Sequence, residues 1–415
     1  MKKDQVIKLA IFSPNVLPVP AVDGGAVEEL TTYIIEENEK YHKYDIDLYT
    51  IDNDNKLENY SYKYTNLIKM QYIPNLKRQK IMNLCTKILV RLPIGRIKSD
   101  FSQYITSKYK RNYYDVVLVE DNRNVFNSIL SKVNNERLYL HIHDDISIPN
   151  NRANQIHKLL YPGDTHMVKE IIKSSTKIIT ASHYLEKRYR AFNASNIETL
   201  YNAVIKKNLN MASPALKDKL RSKFNIKKND VVFTFIGRFA SDKGLDRLLK
   251  SLKLLDSNLN FKCLVVGKNW LDSESENDYS KQLNQIYDSM SEELKHKIVF
   301  TGYIEHSDIN NIYSISDCVI VPSRNEAFGV VVLEAMVMGV PVLASNAGGL
   351  PEVIGNSSIL IENNQNFVEE LSKIMTKIYF DPNLRKKISS LEIKQTKKFP
   401  TTKKQYFKNF CHIVK

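Results

Sequence analysis

Val231-Val232-Phe233-Thr234-Phe235-Ile236-Gly237-Arg238-Phe239-Ala240-Ser241-Asp242-Lys243-Gly244 joins a β-branched and aromatic run to a polar loop bounded by glycines, and a helical pattern starts at its end. Strand, loop and helix in that order make the unit of a parallel α/β sheet. The unit repeats in both directions from here. Toward the carboxyl end, strand-like runs at 262–267, 297–303, 317–323, 341–345 and 358–361 alternate with helical patterns at 244–255, 279–294, 307–315, 330–338 and 367–380. Toward the amino end, runs at 8–13, 47–51, 116–120, 138–143 and 177–181 alternate with helical patterns at 26–41, 125–132 and 183–192. Two such sets predict two doubly wound α/β domains, with the polar stretch 206–230 between them as a linker. Ligands of open α/β sheets sit beyond the carboxyl ends of the strands, so the loops there are where function is sought.

Arg238 and Lys243, five residues apart between Gly237 and Gly244, make a cradle for a diphosphate above a helix start. The order Gly-Lys-Ser/Thr of a P-loop is missing. A second loop, Pro322-Ser323-Arg324-Asn325-Glu326-Ala327-Phe328-Gly329, precedes a helix that holds Glu334 in apolar surroundings. A buried carboxylate is costly unless paired or bound, and two of its oxygens suit the diol of a ribose. Glu326 lies on the loop, where it can face a sugar, and the N–H groups of Phe328, Gly329 and Val330 are placed for phosphate. Thr301-Gly302-Tyr303-Ile304 follows another strand, where a flat base can stack or meet backbone. Ser345-Asn346-Ala347-Gly348-Gly349-Leu350-Pro351-Glu352 carries paired glycines, which fit a close backbone approach or a plain turn. In the first half, Asp23-Gly24-Gly25-Ala26-Val27-Glu28 opens a helix after the first strand.

His141 and His143 share one strand face by the period of two, next to Asp144 and Asp145. Three readings stay open for them: a His2Asp metal site, a polar contact from His143 to substrate, and structural histidines. Asp52-Asn53-Asp54 spells a metal motif but falls after an early strand, where a loop acid pair is expected.

Composition narrows the class. A chain of 415 residues has room for two or three domains, and 43% apolar with 26% charged residues excludes disordered, collagen-like and disulfide-rich classes. Apolar runs reach about six residues, against the ~20 that cross a bilayer. Lys2, Lys3, Asp4 and Lys8 break up the first apolar run, so a first strand is expected there rather than a signal peptide. Cys85, Cys263, Cys318 and Cys411 lack metal spacing and are expected as reduced thiols of a cytoplasmic protein. The net charge of +14 is concentrated: residues 76–112 and 382–415 each hold ten Lys/Arg and one acid. Such patches attract phosphate-rich partners. Within the first, Ile81, Leu84, Cys85, Ile88 and Leu92 form a helical stripe flanked by Lys80, Lys87 and Arg91, which fits a membrane-surface helix and equally a core-facing helix with solvated lysines. No zinc-finger, RRM or basic-region pattern accompanies the charge, so nucleic acid is not an expected partner.

Taken together, Gly237-Arg238…Lys243-Gly244, Thr301-Gly302-Tyr303-Ile304, Pro322-Ser323…Glu326 with seven residues before Glu334, and Gly348-Gly349-Leu350-Pro351-Glu352 resemble the retaining nucleotide-sugar glycosyltransferases of family 4. The Gly24-Gly25…Glu28 loop is similar too, whereas Asn202-Ala203-Val204-Ile205 departs from the Asn-Gly-Val-Asp common in that family. The resemblance implies a GT-B fold: two Rossmann-like domains facing across a cleft. The acceptor would bind residues 1–205 and the donor residues 206–395. The segment 396–415, with a helix over about 401–414, would return to the first domain. By the same resemblance Glu334 holds the ribose, and Arg238 and Lys243 hold the diphosphate with backbone at Gly24, Gly25 and the 328–330 turn. Glu326 and His143 face the transferred sugar, so Glu326, His143, Lys243 and Arg238 are the expected catalytic set. Gly237, Tyr303, Ile304, Ala327, Phe328, Gly329 and Val330 complete the donor site. No metal or cofactor is expected beyond a UDP-linked sugar as co-substrate. The basic patches add an expected acceptor, a polyprenyl-diphosphate-linked saccharide of surface-polysaccharide assembly reached from the inner face of the cell membrane. A protein or small soluble acceptor, and a nucleotide-sugar 2-epimerase of the same fold, are the alternatives.

Overall fold

The computed structural model describes residues 6–14, 17–73, 99–144, 162–206, 209–267 and 278–415. The helical stripe from Ile81 to Leu92, with Cys85, and Asp145 lie outside them. The chain divides into two compact units, Met1–Asn202 with Lys403–Lys415, and Ala203–Thr402.

In chain order the first unit holds β1 (Ile7–Phe12), α1 (Ala26–Tyr41), β2 (Tyr44–Ile51), β3 (Thr65–Met70), α2 (Asp100–Ile105), β4 (Val116–Glu120), α3 (Arg123–Leu130), β5 (Arg137–Ile142), α4 (Pro162–Ser174), β6 (Lys177–Thr180), α5 (His183–Arg190) and β7 (Ile197–Thr199). The second holds α6 (Pro214–Lys223), β8 (Val231–Ile236), α7 (Leu245–Leu252), β9 (Phe261–Val266), α8 (Asp278–Asp288), α9 (Glu292–Lys297), β10 (Ile298–Gly302), α10 (Ile309–Ile315), β11 (Cys318–Val321), α11 (Val330–Val337), β12 (Val342–Asn346), α12 (Leu350–Ile354), β13 (Ile359–Glu362), α13 (Phe367–Phe380) and α14 (Pro382–Gln395). A last helix, α15 (Lys403–Ile413), rejoins the first unit.

Both sheets are wholly parallel. The first has strand order β3-β2-β1-β4-β5-β6-β7 and the second β10-β9-β8-β11-β12-β13. Each order reverses once, between β1 and β4 and between β8 and β11. Beside a reversal the flanking helices diverge and leave a crevice at the strand ends. Those ends carry the Gly24-Gly25 loop and Glu120 in one unit, and the 237–244 and 322–329 loops in the other. The inner strands are buried on both faces: Leu9, Ala10, Ile11 and Phe12 are fully covered, as are Cys263, Leu264 and Val265.

Elements that the pattern reading missed have weak apolar signals. Edge strand β3 is mostly half-exposed, and edge strand β7 has three residues. The stretch expected as a linker contains α6, on which no residue is buried; Ser213 caps it by accepting the Leu216 N–H at 3.3 Å, with Pro214 in its first turn. The single helix expected over 279–294 is two, because the Ser291 hydroxyl accepts the Leu294 N–H and restarts the helix. Ala203–Ile205 and residues 396–402 group with the second unit, where the Val204 N–H donates to Pro400 at 3.1 Å and the Lys206 N–H to Thr401 at 3.2 Å.

α15 packs on α1. Phe407 stacks on Tyr41, the Tyr44 hydroxyl donates to the Val414 carbonyl at 2.6 Å, and the Lys403 ammonium pairs with Glu36.

One buried acid makes the second unit pH-sensitive. Glu392 on α14 is fully buried and accepts the Val342 N–H at 3.0 Å. Burial pushes its carboxyl up to about 8, so the folded chain keeps a proton that the unfolded chain releases near pH 4.5. Stability must therefore fall as pH rises between those values. Glu392→Gln keeps the acceptor and removes the charge. Its melting temperature is expected to exceed the parent's by about 3–8 °C at pH 8.5, with no gain at pH 4.5; thermal denaturation across that range reads the difference.

Candidate functional site

The second unit's loops are tied together before any ligand is considered. Arg324 makes two parallel bonds to Asp246, at 2.8 and 2.7 Å, and a third to the Ser241 carbonyl at 2.6 Å. Its backbone N–H donates to the Asp242 carbonyl at 2.7 Å. Asp246 is fully buried at the start of α7. Burial pushes its carboxyl up, but Arg324 and the Tyr279 hydroxyl outweigh that and hold it below the usual range. A forked guanidinium on a buried carboxylate fixes distance and plane together. The loop after β8 and the loop after β11 thus act as one piece.

On that piece sit the expected charges. The Lys243 ammonium donates to both oxygens of Glu326, at 3.0 and 2.9 Å, and lies 3.6 Å from Asp242. Arg238 is 76% exposed and reaches Asp242 at 3.9 Å. The four groups form a row of alternating sign, Arg238, Asp242, Lys243, Glu326. The Ser323 hydroxyl adds a bond to Glu326 at 3.3 Å.

Gly348 and Gly349 serve this row rather than standing open. The Gly349 N–H donates to the Glu326 carbonyl at 2.7 Å. A Cβ on Gly348 would lie 2.0 Å from that same carbonyl oxygen, and the residue has φ +59°. Only a glycine lets this turn lie on the Glu326 backbone.

α11 begins at Gly329 with no side-chain cap. Its first N–H groups therefore keep the partial positive charge of a helix start, beside Ala327 and the buried Phe328, which packs edge-on to Phe399. One turn further on, Glu334 is almost fully buried and already engaged. The Tyr313 hydroxyl donates to one oxygen at 2.8 Å and His306 Nε2 lies 2.8 Å from the other. Tyr313 is fully buried, and burial first, then Glu334, push its hydroxyl well up. His306 is half-exposed. Tyr303 is exposed and Ile304 half-buried just before His306; Gly237 continues β8 through its N–H to Val266 at 3.0 Å.

In the first unit, the Gly24-Gly25 turn opens α1, and the Glu28 carboxylate folds back over it. A Cβ on Gly25 would lie 2.2 Å from Glu28 Oε2, and Gly25 has φ +95°. Burial pushes the Glu28 carboxyl up, and nearby His143 partly offsets this. Across the strand reversal, Glu120 at the end of β4 sits opposite His141 on β5. Its Oε2 is 3.0 Å from His141 Nδ1 and 3.1 Å from His143 Nε2. Burial would raise the Glu120 carboxyl, but the two imidazoles hold it down at about 2. Burial and the neighbouring His143 lower His141, whereas Glu120 and Asp121 overcome burial and raise His143. Glu120, His141 and His143 each offer one ligand atom, all within 4.8 Å, the one such grouping among the described residues. The acid beside the histidines is Glu120, from the next strand, and not Asp144.

The structure thus joins Lys243, Glu326 and, through Asp242, Arg238, and in the first unit it sets Glu28 over the Gly24-Gly25 turn and His143 against Glu120. Sequence reasoning missed Arg324, Asp246, Tyr313, His306 and Glu120. A signal existed for two: an acid in the first turn of an apolar helix, and an acid closing an all-valine-and-leucine strand.

Residues 217–395 match the family model of glycosyl transferases group 1. The second unit carries a glycosyl transferase group 1 domain. This domain contains every candidate residue of the second unit named above. The chain is similar to an uncharacterized glycosyltransferase of Methanocaldococcus jannaschii, with 28% identity over 47% of this chain and 50% of that one. It is also similar to a lipopolysaccharide 1,2-N-acetylglucosaminetransferase of Salmonella typhimurium, with 28% identity over 58% and 56%. The chain thus spans about half the length of the curated relatives it matches. Among solved structures, Anabaena HepE in complex with UDP and glucose is similar over 98% of this chain and 99% of that one, with TM-score 0.67 and 18% identity. The likeness establishes the fold as GT-B, an α/β fold with two doubly wound parallel sheets, the second of which lies in the group 1 domain.

Proposed function

We propose that the chain is a retaining, metal-independent glycosyltransferase that moves a hexose from a nucleotide diphosphate, UDP foremost, to a hydroxyl of a lipid-linked saccharide. The carrying observation is the row Arg238, Asp242, Lys243, Glu326 at the open start of α11, inside the group 1 domain. Breaking the bond between the sugar and the diphosphate leaves negative charge on the phosphate and positive charge on the sugar. Arg238, Lys243 and the uncapped helix start meet the first; Glu326 meets the second. Fixed cations here do the work a metal does elsewhere. Glu334 takes the ribose diol in exchange for His306, and Tyr303 with Ile304 lines the base. In the first unit, His143 takes a sugar hydroxyl.

Transfer with retention follows if the acceptor oxygen bonds to the anomeric carbon on the side from which phosphate leaves, its proton passing to a phosphate oxygen. Glu326 is poorly placed to attack the carbon itself, since Lys243 holds both of its oxygens and Ser323 adds a third bond. The acceptor class draws support from the basic stretch over 382–415 and from the lipopolysaccharide relative. Among the described residues no helix is long and apolar enough to cross a membrane, so docking would rest on charge.

A two-part experiment tests the reading. UDP-glucose and its relatives should raise the melting temperature at concentrations above their Kd, and turnover with an acceptor should give a glycoside of unchanged anomeric configuration. An epimerised sugar without transfer would replace the transferase by the epimerase. Flotation with anionic vesicles at low salt reads the membrane part; failure to float would leave a soluble acceptor.

A further inference from the structure

Lys243 reaches Glu326 on a long side chain, and holding a lysine in one geometry costs much rotamer freedom. A pair at 3.0 and 2.9 Å therefore persists only if the backbone on both sides is held. The Glu326 side is held by the Gly349 N–H, which donates to the Glu326 carbonyl at 2.7 Å. The Lys243 side is held from Arg324. Four hydrogen bonds leave that residue for the segment 241–246: its backbone N–H to the Asp242 carbonyl, a guanidinium N–H to the Ser241 carbonyl, and the fork on the Asp246 carboxylate. They fall on both sides of Lys243 along the chain. Ser241–Lys243 is a single 3-10 turn, and Gly244 follows at φ +73°. A Cβ on Gly244 would lie 2.1 Å from the Pro322 carbonyl oxygen, so the two loops meet here backbone to backbone.

We infer that Arg324 is a positioning residue: its guanidinium, anchored on the buried Asp246 and on the Ser241 carbonyl, holds Lys243 on both oxygens of Glu326 before a nucleotide sugar arrives. The anchor does no other local work. Asp246 is 1% exposed at its side chain, and α7 starts at Gly244 without a side-chain cap. The Tyr279 hydroxyl donates to Asp246 Oδ1 at 2.9 Å and accepts the Asp246 N–H at 3.2 Å. With the fork, this satisfies a carboxylate that burial would otherwise penalise. The charge of Arg324 is matched there, so this residue adds no free cation to the row that meets the diphosphate. Its effect on the chemistry runs through Lys243. A cation already in place needs no reorganisation as charge develops on the departing phosphate.

The consequence for turnover rests on the proposed donor chemistry of Lys243 and Glu326, whereas the hold on the turn does not. Arg324→Lys separates the two. It keeps the charge and the backbone bond to Asp242, but an ammonium is a point donor and cannot bridge two carboxylate oxygens in one plane. Amide hydrogen exchange of the full chain, read by mass spectrometry, needs no activity. Residues 241–247 of Arg324→Lys should exchange about tenfold faster than the parent, with β8 and β11 unchanged. Within that stretch the Lys243 and Arg247 N–H groups donate to the Ala240 and Gly244 carbonyls, both at 3.0 Å. With UDP-glucose as donor, kcat should fall about 10- to 100-fold. The Kd for UDP should change less than about threefold, because Arg238 and Lys243 both remain. Asp246→Asn breaks the same fork from the other side and should show the same two effects, so the test does not depend on one variant folding. Parental exchange over 241–247 overturns the hold on the turn. Faster exchange with near-parental kcat overturns the positioning role, as does a lowered melting temperature with kcat per folded molecule unchanged. An inactive parent with UDP-glucose counts against the proposed function, and exchange still decides whether Arg324 holds the turn.

Discussion

Lys243→Ala is expected to reduce turnover of a nucleotide sugar about a thousand-fold. The ammonium donates to both oxygens of Glu326 and stands 3.6 Å from Asp242. Arg238 and Lys243 balance Asp242 and Glu326 in charge, so a diphosphate enters a neutral row that can redistribute its cations toward it. Without Lys243 the row carries a net negative charge. It then repels the diphosphate in the ground state and gives the departing phosphate one cation fewer in the transition state. Both kcat and affinity for UDP should fall, kcat by far more. Stability should fall by about 1–3 kcal/mol, because the pair is only about one-fifth exposed and Glu326 loses the donor to both of its oxygens. Steady-state kinetics beside UDP titration separates the two effects; a variant with near-parental kcat removes Lys243 from the chemistry.

The second large effect is structural in origin. Gly348→Ala places a methyl group 2.0 Å from the Glu326 carbonyl oxygen and 2.8 Å from its nitrogen. Neither atom is the free end of a side chain, so the turn or the Glu326 loop must move. The left-handed conformation at φ +59° adds about 1 kcal/mol. A total cost of about 3 kcal/mol is expected, which lowers the melting temperature of the second unit by roughly 6–12 °C. Because the displaced atoms are the backbone of Glu326, turnover should collapse even where the variant remains folded. Thermal denaturation and activity at 20 °C measure the two parts. A parental melting point would show that the turn has slack.

The second sheet was legible because its inner strands are near-continuous apolar runs, buried on both faces. Their loops carry glycines and charges, so Lys243 and Glu326 could be singled out as candidates, while the roles expected of them came from the family resemblance. Partnership was less visible. Asp246 and Arg324 are 78 residues apart, and no local pattern announces that one buries against the other. Glu120 and His141 meet only because β4 and β5 pair in one particular register. The pairing of Glu334 was hidden for another reason: Tyr313 and His306 come from the preceding helix and loop, and their rings read locally as ordinary apolar and surface residues. β3 and β7 escaped because edge strands need only one covered side.

The second unit is an insertion in the first: residues 203–402 separate β7 from α15. On a ribosome the second sheet therefore has all of its strands before the first sheet's unit receives the helix that covers α1. Until Lys403–Ile413 emerges, Tyr41, Tyr44 and their neighbours have nothing over them, and that apolar surface is a natural client for a chaperone. The half made first is the half finished last.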